Sequence, residues 1–223
     1  MKKVVVAVSG GGRSLKNLLF RQKNFGSFKV CGVISSKAEC GGAELARSSN
    51  LPLLVESFSS HDVASDALSR WLHEIQPDLI VLAGFLKIFP VTFPGKDTGW
   101  MTINIHPSLL PAHGGKGFYG MRVHRAVLAS GDQESGASIH QVSGRYDEGD
   151  LIAQVRVPVL KSDTPESLAG RVFDAECFLL PVTIHRLVTG HRPEQGVWQY
   201  EAGSERPEII VRSPAIAEES PRG

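Results

Sequence analysis

The chain has few cysteines, no long apolar run and no surplus of either charge, and each absence excludes something. Cys31, Cys40 and Cys177 are the only cysteines among 223 residues. They form no paired spacing, so a reducing compartment is expected rather than a disulfide framework. No apolar run approaches the roughly 18 residues that a membrane span needs. The opening MKKVVVAVSGGG places five apolar residues between a basic pair and the glycines, too few for a secretory signal. Lys and Arg total 24 against 23 Asp and Glu. With no basic cluster, no nucleic-acid partner is expected. The expectation is a soluble, cytoplasmic protein.

What is present is alternation. Apolar, β-branched runs at 3–8, 29–35, 51–56, 78–84 and 101–107 read as strands. Between them, 14–22, 41–50, 60–75 and 119–130 carry helical spacing. In 60–75, Ser60 is the expected cap, and Val63, Ala67, Leu68, Trp71, Leu72 and Ile75 share a stripe. Such alternation encodes a parallel sheet with right-handed crossovers. From about residue 135 the pattern changes to two strands, 135–142 and 150–159, joined by the polar turn SGRYDEG as an antiparallel addition. A long helix is expected over 165–189, capped by Ser162 or Thr164, with Pro165 in its first turn. The fold class is therefore α/β, a Rossmann-like, mostly parallel sheet flanked by helices with antiparallel C-terminal strands. One domain is expected over 1–200, followed by a loosely ordered tail over 201–223.

Three stretches carry candidate chemistry. INIHPSLLP sets two polar side chains in an apolar run, and burying them costs free energy unless they are paired. Strand alternation puts Asn104 and His106 on one face, roughly 6–7 Å apart. Pro107 ends the ladder, so His106 stands at the strand's carboxyl end, where ligands bind in open α/β sheets. A satisfied core pair and a working site both fit. SGGGRS joins the first strand to the first helix, where backbone amides can meet an anion. It starts a dinucleotide fingerprint, but Leu15 replaces the third glycine and Ser35-Ser36-Lys37 supplies no acid for a ribose. A phosphate site or a bare tight turn remains. RYDEGD reads either as a solvated turn or, if the fold returns it beside His106, as a carboxylate partner. His106, His113, His124 and His140 follow no metal-ligand spacing, so no metal is expected. No G-x-S-x-G elbow is present, which removes a serine-hydrolase reading.

The stretches VSGGGRSLKNLL, LAGFLKIF, INIHPSLLPAHGGKGFYG, SGASIHQVSGRYDEGDLIAQ and LAGRVFDAECFLLP resemble, in order, the motifs of the phosphoribosylglycinamide formyltransferase family. The resemblance runs over roughly residues 3–190. Its most specific element, Asn104-x-His106-Pro107-Ser108-Leu109-Leu110-Pro111 with Asp147 at a distance, marks folate-dependent formyltransferases as a group. The compact length favours the glycinamide branch over relatives with appended domains.

The resemblance implies transfer of a formyl group from N10-formyltetrahydrofolate, as co-substrate, to the amine of phosphoribosylglycinamide in de novo purine biosynthesis. It implies Asn104, His106 and Asp147 as catalytic residues, with Asp147 orienting the imidazole and raising its pKa. Gly10, Gly11, Gly12, Arg13 and Ser14 would hold the substrate phosphate. The family's loop carries Ser-Asn where this chain has Arg13 and Ser14, with Ser14 expected to cap the helix. Pro107, Lys116 and Glu176 would contact the substrate, although Lys116 also suits a mobile loop and Glu176 a solvated helix. Phe85, Leu86, Lys87, Ile88, Gln141, Val142 and Ser143 would meet the folate, with core packing the alternative for Phe85 and Leu86. The partners implied are small molecules, without nucleic acid or membrane, and the chain would be a monomer or homodimer. Rivals are a formyltetrahydrofolate hydrolase, a formyltransferase acting on another amine such as an amino-sugar nucleotide, and a non-catalytic phosphate-binding module.

Overall fold

The computed structural model describes residues 1–58, 63–93, 99–191, 197–201 and 210–212. Two compact units divide the chain: Met1–Asn104 with Gln141–Tyr146, and Ile105–His140 with Asp147–Gly223.

The first unit alternates as expected: β1 (Lys2–Val8), α1 (Arg13–Phe25), β2 (Phe28–Ser35), α2 (Gly41–Ser48), β3 (Leu53–Val55), α3 (Asp66–Ile75) and β4 (Leu79–Ala83). The sheet order is β3-β2-β1-β4, followed by β5 (Thr102–His106). β1 runs parallel to both neighbours, with Val5 opposite Gly32 on one side and Ile80 on the other. Val4 through Val8 are fully buried, because a central parallel strand is covered on both faces. Leu15 and Leu18 of α1, and Leu68 and Leu72 of α3, are likewise buried. Gly32 admits α3: a Cβ there would lie 2.7 Å from the Trp71 ring.

The α3 start differs from expectation. Its cap is Ser65, whose side chain accepts the Leu68 N–H, and Asp66 occupies the first turn. A serine followed by an acidic first turn suits both the free amides and the helix dipole. Ser60 lies outside the described residues, and Val63 forms an isolated bridge with Thr92 instead of joining the helix.

The second unit takes up the chain at the end of β5 and contains α4 (Met121–Ser130), β6 (Glu134–Gln141), β7 (Leu151–Pro158), α5 (Pro165–Val188), β8 (Trp198–Glu201) and β9 (Ile210–Arg212). β6 and β7 pair antiparallel, with Ala137 opposite Val155. Gly136 is obligatory there, since a Cβ would collide with the Val155 carbonyl. Of the two expected caps for the long helix, Thr164 forms a capping box with Ser167, and Pro165 opens the helix. β8 returns parallel to β7, and β9 pairs antiparallel with β8. Neither strand was expected. Four residues of mixed polarity carry too little periodicity to announce a strand. The rest of the expected loose tail, 202–209 and 213–223, lies outside the described residues. The architecture is α/β and Rossmann-like, mostly parallel with antiparallel C-terminal strands.

Candidate active site

In the first unit, the glycine loop leaves β1 through Ser9. The Ser9 hydroxyl pairs with Ser36 Oγ at 2.6 Å and accepts the Leu86 N–H at 2.9 Å. The Ser9 N–H donates to Gly84 O at 3.1 Å. Gly12 has φ 74° and occupies the cap position of α1, which has no acidic residue in its first turn. The loop presses on the start of α2: Gly42 N–H donates to Gly10 O at 2.9 Å, and a Cβ on Gly12 would lie 2.7 Å from Gly42 Cα. Only glycine fits that conformation and that space. A Cβ on Gly10 or Gly11 would meet nothing within 4 Å. A helix N-terminus without a capping side chain, reached through open glycines, has the ingredients of an anion site. Ser14 is not the cap; it sits inside the first turn because Gly12 takes the left-handed cap conformation. Arg13, first residue of α1, is exposed.

The proposed folate stretch divides. Phe85 is buried and packs edge-on against Phe58, ring centroids 4.9 Å apart, in a cluster with Phe89, Phe93 and Trp100. Leu86 is 44 % exposed and Lys87 is exposed, while Ile88 is half-buried. Val142 packs against the same cluster and donates its N–H to Thr102 O at 2.9 Å. Gln141 and Ser143 flank it with exposed side chains. Asn104 is half-buried in β5, alternating with buried Ile103 and Ile105, so it shares a strand face with His106.

In the second unit, His106 ends β5 and is buried. Its Nε2 lies 2.9 Å from the His113 carbonyl, and its Nδ1 lies 3.4 Å from Asp147 Oδ2. The turn RYDEGD therefore does return beside His106. Asp147 has φ 57°, a conformation that aspartate tolerates better than most residues. Its Oδ2 also accepts the Gly115 N–H at 2.9 Å, and its Oδ1 lies 3.5 Å from His140 Nε2. His140, buried near the end of β6, was not foreseen as part of this cluster. The available signal was SIHQ, a second histidine beside an isoleucine in a strand pattern.

Burial pushes the His106 imidazole below the ordinary histidine value. Asp147 and the His113 carbonyl act in the raising direction, as expected of a carboxylate neighbour, but burial outweighs them. Burial would raise the Asp147 carboxyl. The hydrogen bond from His140, the His106 charge and the Gly115 amide together hold it below its ordinary value.

The turn after His106 is fastened from within its own unit. Ser138 Oγ donates to Ser108 O at 2.6 Å and accepts the Leu110 N–H at 2.9 Å. Gln154 Nε2 reaches both Leu110 O at 3.0 Å and Ser138 Oγ at 2.8 Å. Satisfied buried polar groups of this kind hold one geometry. Pro107 is half-buried at the turn's start, Lys116 is exposed beyond it, and Glu176 is half-buried on α5. Chemically, a buried imidazole beside an ionised carboxylate can accept a proton and hand it on.

The family model described as "Formyl transferase" matches residues 2–184. Among curated relatives, the chloroplastic phosphoribosylglycinamide formyltransferase of Vigna unguiculata is 42% identical over 180 residues, covering 78% of this chain and 57% of the relative. The phosphoribosylglycinamide formyltransferase of Escherichia coli (strain K12) is 34% identical over 191 residues, covering 84% of this chain and 87% of the relative. The chain thus spans 57% and 61% of the length of two plant relatives it matches. Among solved structures, the phosphoribosylglycinamide formyltransferase of Coxiella burnetii superposes with a TM-score of 0.73 at 31% identity, covering 85% of this chain and 88% of that one. The Brucella melitensis protein of the same name gives 0.70 at 35% identity, covering 85% and 96%. With the matched region reaching from the first strand into the last long helix, the chain belongs to the formyl transferase family.

Proposed function

We propose that this chain transfers the formyl group of N10-formyltetrahydrofolate to the primary amine of 5'-phosphoribosylglycinamide, in de novo purine biosynthesis. The observation that carries the reading is the His106–Asp147 pair at the end of β5 in a formyl transferase chain. Relatives across most of its length bear the name phosphoribosylglycinamide formyltransferase.

Attack of the amine on the formyl carbon builds negative charge on oxygen and positive charge on nitrogen. Asn104, a neutral donor, stabilises the oxygen without introducing a counter-charge. His106 accepts the proton that the nitrogen must lose, and Asp147 stabilises the imidazolium so formed. Collapse of the tetrahedral adduct breaks the bond between the formyl carbon and N10, and N10 takes up the proton from the imidazolium, directly or through solvent. No covalent intermediate is needed.

The amides of Gly10, Gly11 and Gly12, with Arg13 and Ser14, hold the substrate phosphate, and Pro107, Lys116 and Glu176 contact the rest of the substrate. Residues 85–88 and 141–143 receive the folate. Phe85 contributes as support for this stretch, since its ring is part of the aromatic core.

The deciding measurement is formyl release from 10-formyltetrahydrofolate, or its 5,8-dideaza analogue, with and without glycinamide ribonucleotide. Release that depends on the amine, with formylated product, supports the transferase. Equal release without the amine would make the chain a hydrolase that passes the formyl group to water. Release supported instead by an amino-sugar nucleotide would reassign the acceptor. No release under any of these conditions would leave a phosphate-binding module.

A further inference from the structure

His106 stands between two acceptors. The His113 carbonyl is 2.9 Å from Nε2, and Asp147 Oδ2 is 3.4 Å from Nδ1. A carbonyl oxygen only accepts, so the shorter contact requires a proton on Nε2. A carboxylate oxygen also only accepts and draws a proton to Nδ1. The neutral ring has one proton for both. The nearer acceptor favours Nε2–H, so whatever holds the His113 carbonyl in place decides the tautomer.

His113 is held unusually firmly for a loop residue. Its φ is 53°, in the left-handed region that non-glycine residues seldom enter. Just before it, Ser108 Oγ donates to Ala112 O at 2.6 Å. Its own ring is tied by Nε2 to Asp132 Oδ2 at 2.6 Å, short enough for a charge-assisted hydrogen bond. Phe118 packs beside that ring, centroids 6.2 Å apart. Asp132 directly follows Gly131, which closes α4 in the left-handed conformation. The carboxylate is therefore anchored at a helix end, outside the loop it restrains. The hydrogen bond from His113, and then that from Ser130, keep the Asp132 carboxyl below its ordinary range.

We propose that the His113–Asp132 pair is a positioning device for His106. It holds the His113 carbonyl against Nε2, keeps the neutral ring in the Nε2–H form and leaves Nδ1, beside Asp147, as the proton-accepting nitrogen. The pair touches no reacting atom and acts only through His106. Its consequence for turnover rests on the role proposed above for His106, whereas its control of the tautomer does not. A pair that merely fastened the loop to α4 would leave the His106 proton where it is.

The test uses the full chain labelled with 15N-histidine at mildly alkaline pH, where His106 is neutral. Its ring signals are assigned by their loss in His106→Asn. The wild type should show the Nε2–H pattern. Asp132→Ala should move a large share of the proton to Nδ1 and lower kcat by about tenfold, with KM for both substrates within about twofold. Asp132→Asn keeps an acceptor for the His113 ring and should restore the wild-type pattern and most of the turnover. Should Asp132→Ala fail to fold, His113→Asn provides the same loss of the pair, because asparagine tolerates the left-handed backbone and its side chain is shorter. A folded Asp132→Ala or His113→Asn variant with an unchanged His106 pattern overturns the proposal, whatever its activity. A changed pattern with unchanged turnover upholds the tautomer control and overturns the catalytic role of His106 instead.

Discussion

Asp147 places Oδ2 3.4 Å from Nδ1 of His106 while holding a left-handed backbone, φ 57°, that few residues adopt. The conformation is supported by its surroundings, because the same oxygen accepts the Gly115 N–H at 2.9 Å. Strain of this sort costs on the order of 1–3 kcal/mol and persists only where neighbours over-determine it.

Removing either partner should therefore strike turnover rather than binding. His106→Ala and Asp147→Asn are each expected to lower kcat by on the order of 10²–10⁴, with folate affinity largely kept. Steady-state kinetics with both substrates varied will measure this. Wild-type turnover in His106→Ala would remove the residue from the mechanism.

The pH profile follows from the direction of the His106 shift. Burial pushes the imidazole below its ordinary value, and Asp147 partly offsets that. A base is active when unprotonated, so kcat/KM should fall only as pH drops below about 6.5, the ordinary histidine value. Asp147→Asn removes the raising influence and should move this limb further down. A limb that stays in place or moves up would show that Asp147 does not act on His106 electrostatically.

The glycine loop, proposed above to hold the substrate phosphate, separates a packing effect from a ligand effect. Gly12→Ala forces a Cβ to within 2.7 Å of Gly42 Cα at a positive φ, and should destabilise the fold by about 1–3 kcal/mol. Arg13 offers a guanidinium fork suited to a phosphate dianion. Arg13→Ala should leave stability nearly unchanged and raise KM for glycinamide ribonucleotide by roughly tenfold, with KM for the folate donor unaffected. Urea unfolding and initial rates on the same two variants test the division. Arg13 has no part in phosphate binding if neither KM moves.

Away from the site, Arg171 grips Asp163 with two nitrogens at 2.7 and 2.8 Å, while Ser167 Oγ and the Leu160 N–H add bonds of 2.7 and 2.8 Å. The Arg171 hydrogen bonds, more than any other influence, hold the Asp163 carboxyl far below the usual carboxylate range. A depressed carboxylate stabilises the fold fully above its unfolded pKa of about 3.9, and that contribution is lost as pH falls below it. Asp163→Asn should cost about 1–3 kcal/mol at neutral pH and much less at pH about 2. Urea titrations at both values will show it. An equal loss at both would mean that the carboxylate charge is not what stabilises the start of α5.

Local pattern and tertiary structure decided different things. The alternation of β-branched runs with helical spacing was enough for β1, α1, β2, α2 and β4, because side-chain period is a property of neighbouring residues. The antiparallel 135–159 hairpin was legible for the same reason. So was the shared face of Asn104 and His106, which strand geometry imposes. Ser65 rather than Ser60 began α3 because several serines stand close to the start of the apolar stripe, and only the folded backbone chooses among them. β8 was invisible because its partner β7 supplies the pairing that its four residues do not announce.

At the site, the residue types were readable and their relations were not. Asp147 lies far along the chain from His106, and only the second unit's fold brings them together. A carboxylate near the histidine could be inferred from motif, but the sign of the net shift depends on burial, which no local pattern reports. His140, the Gly115 amide and the His113 carbonyl entered for the same reason. Each contact joins residues separated in sequence, and its energy exists only once the intervening chain has been folded away from water.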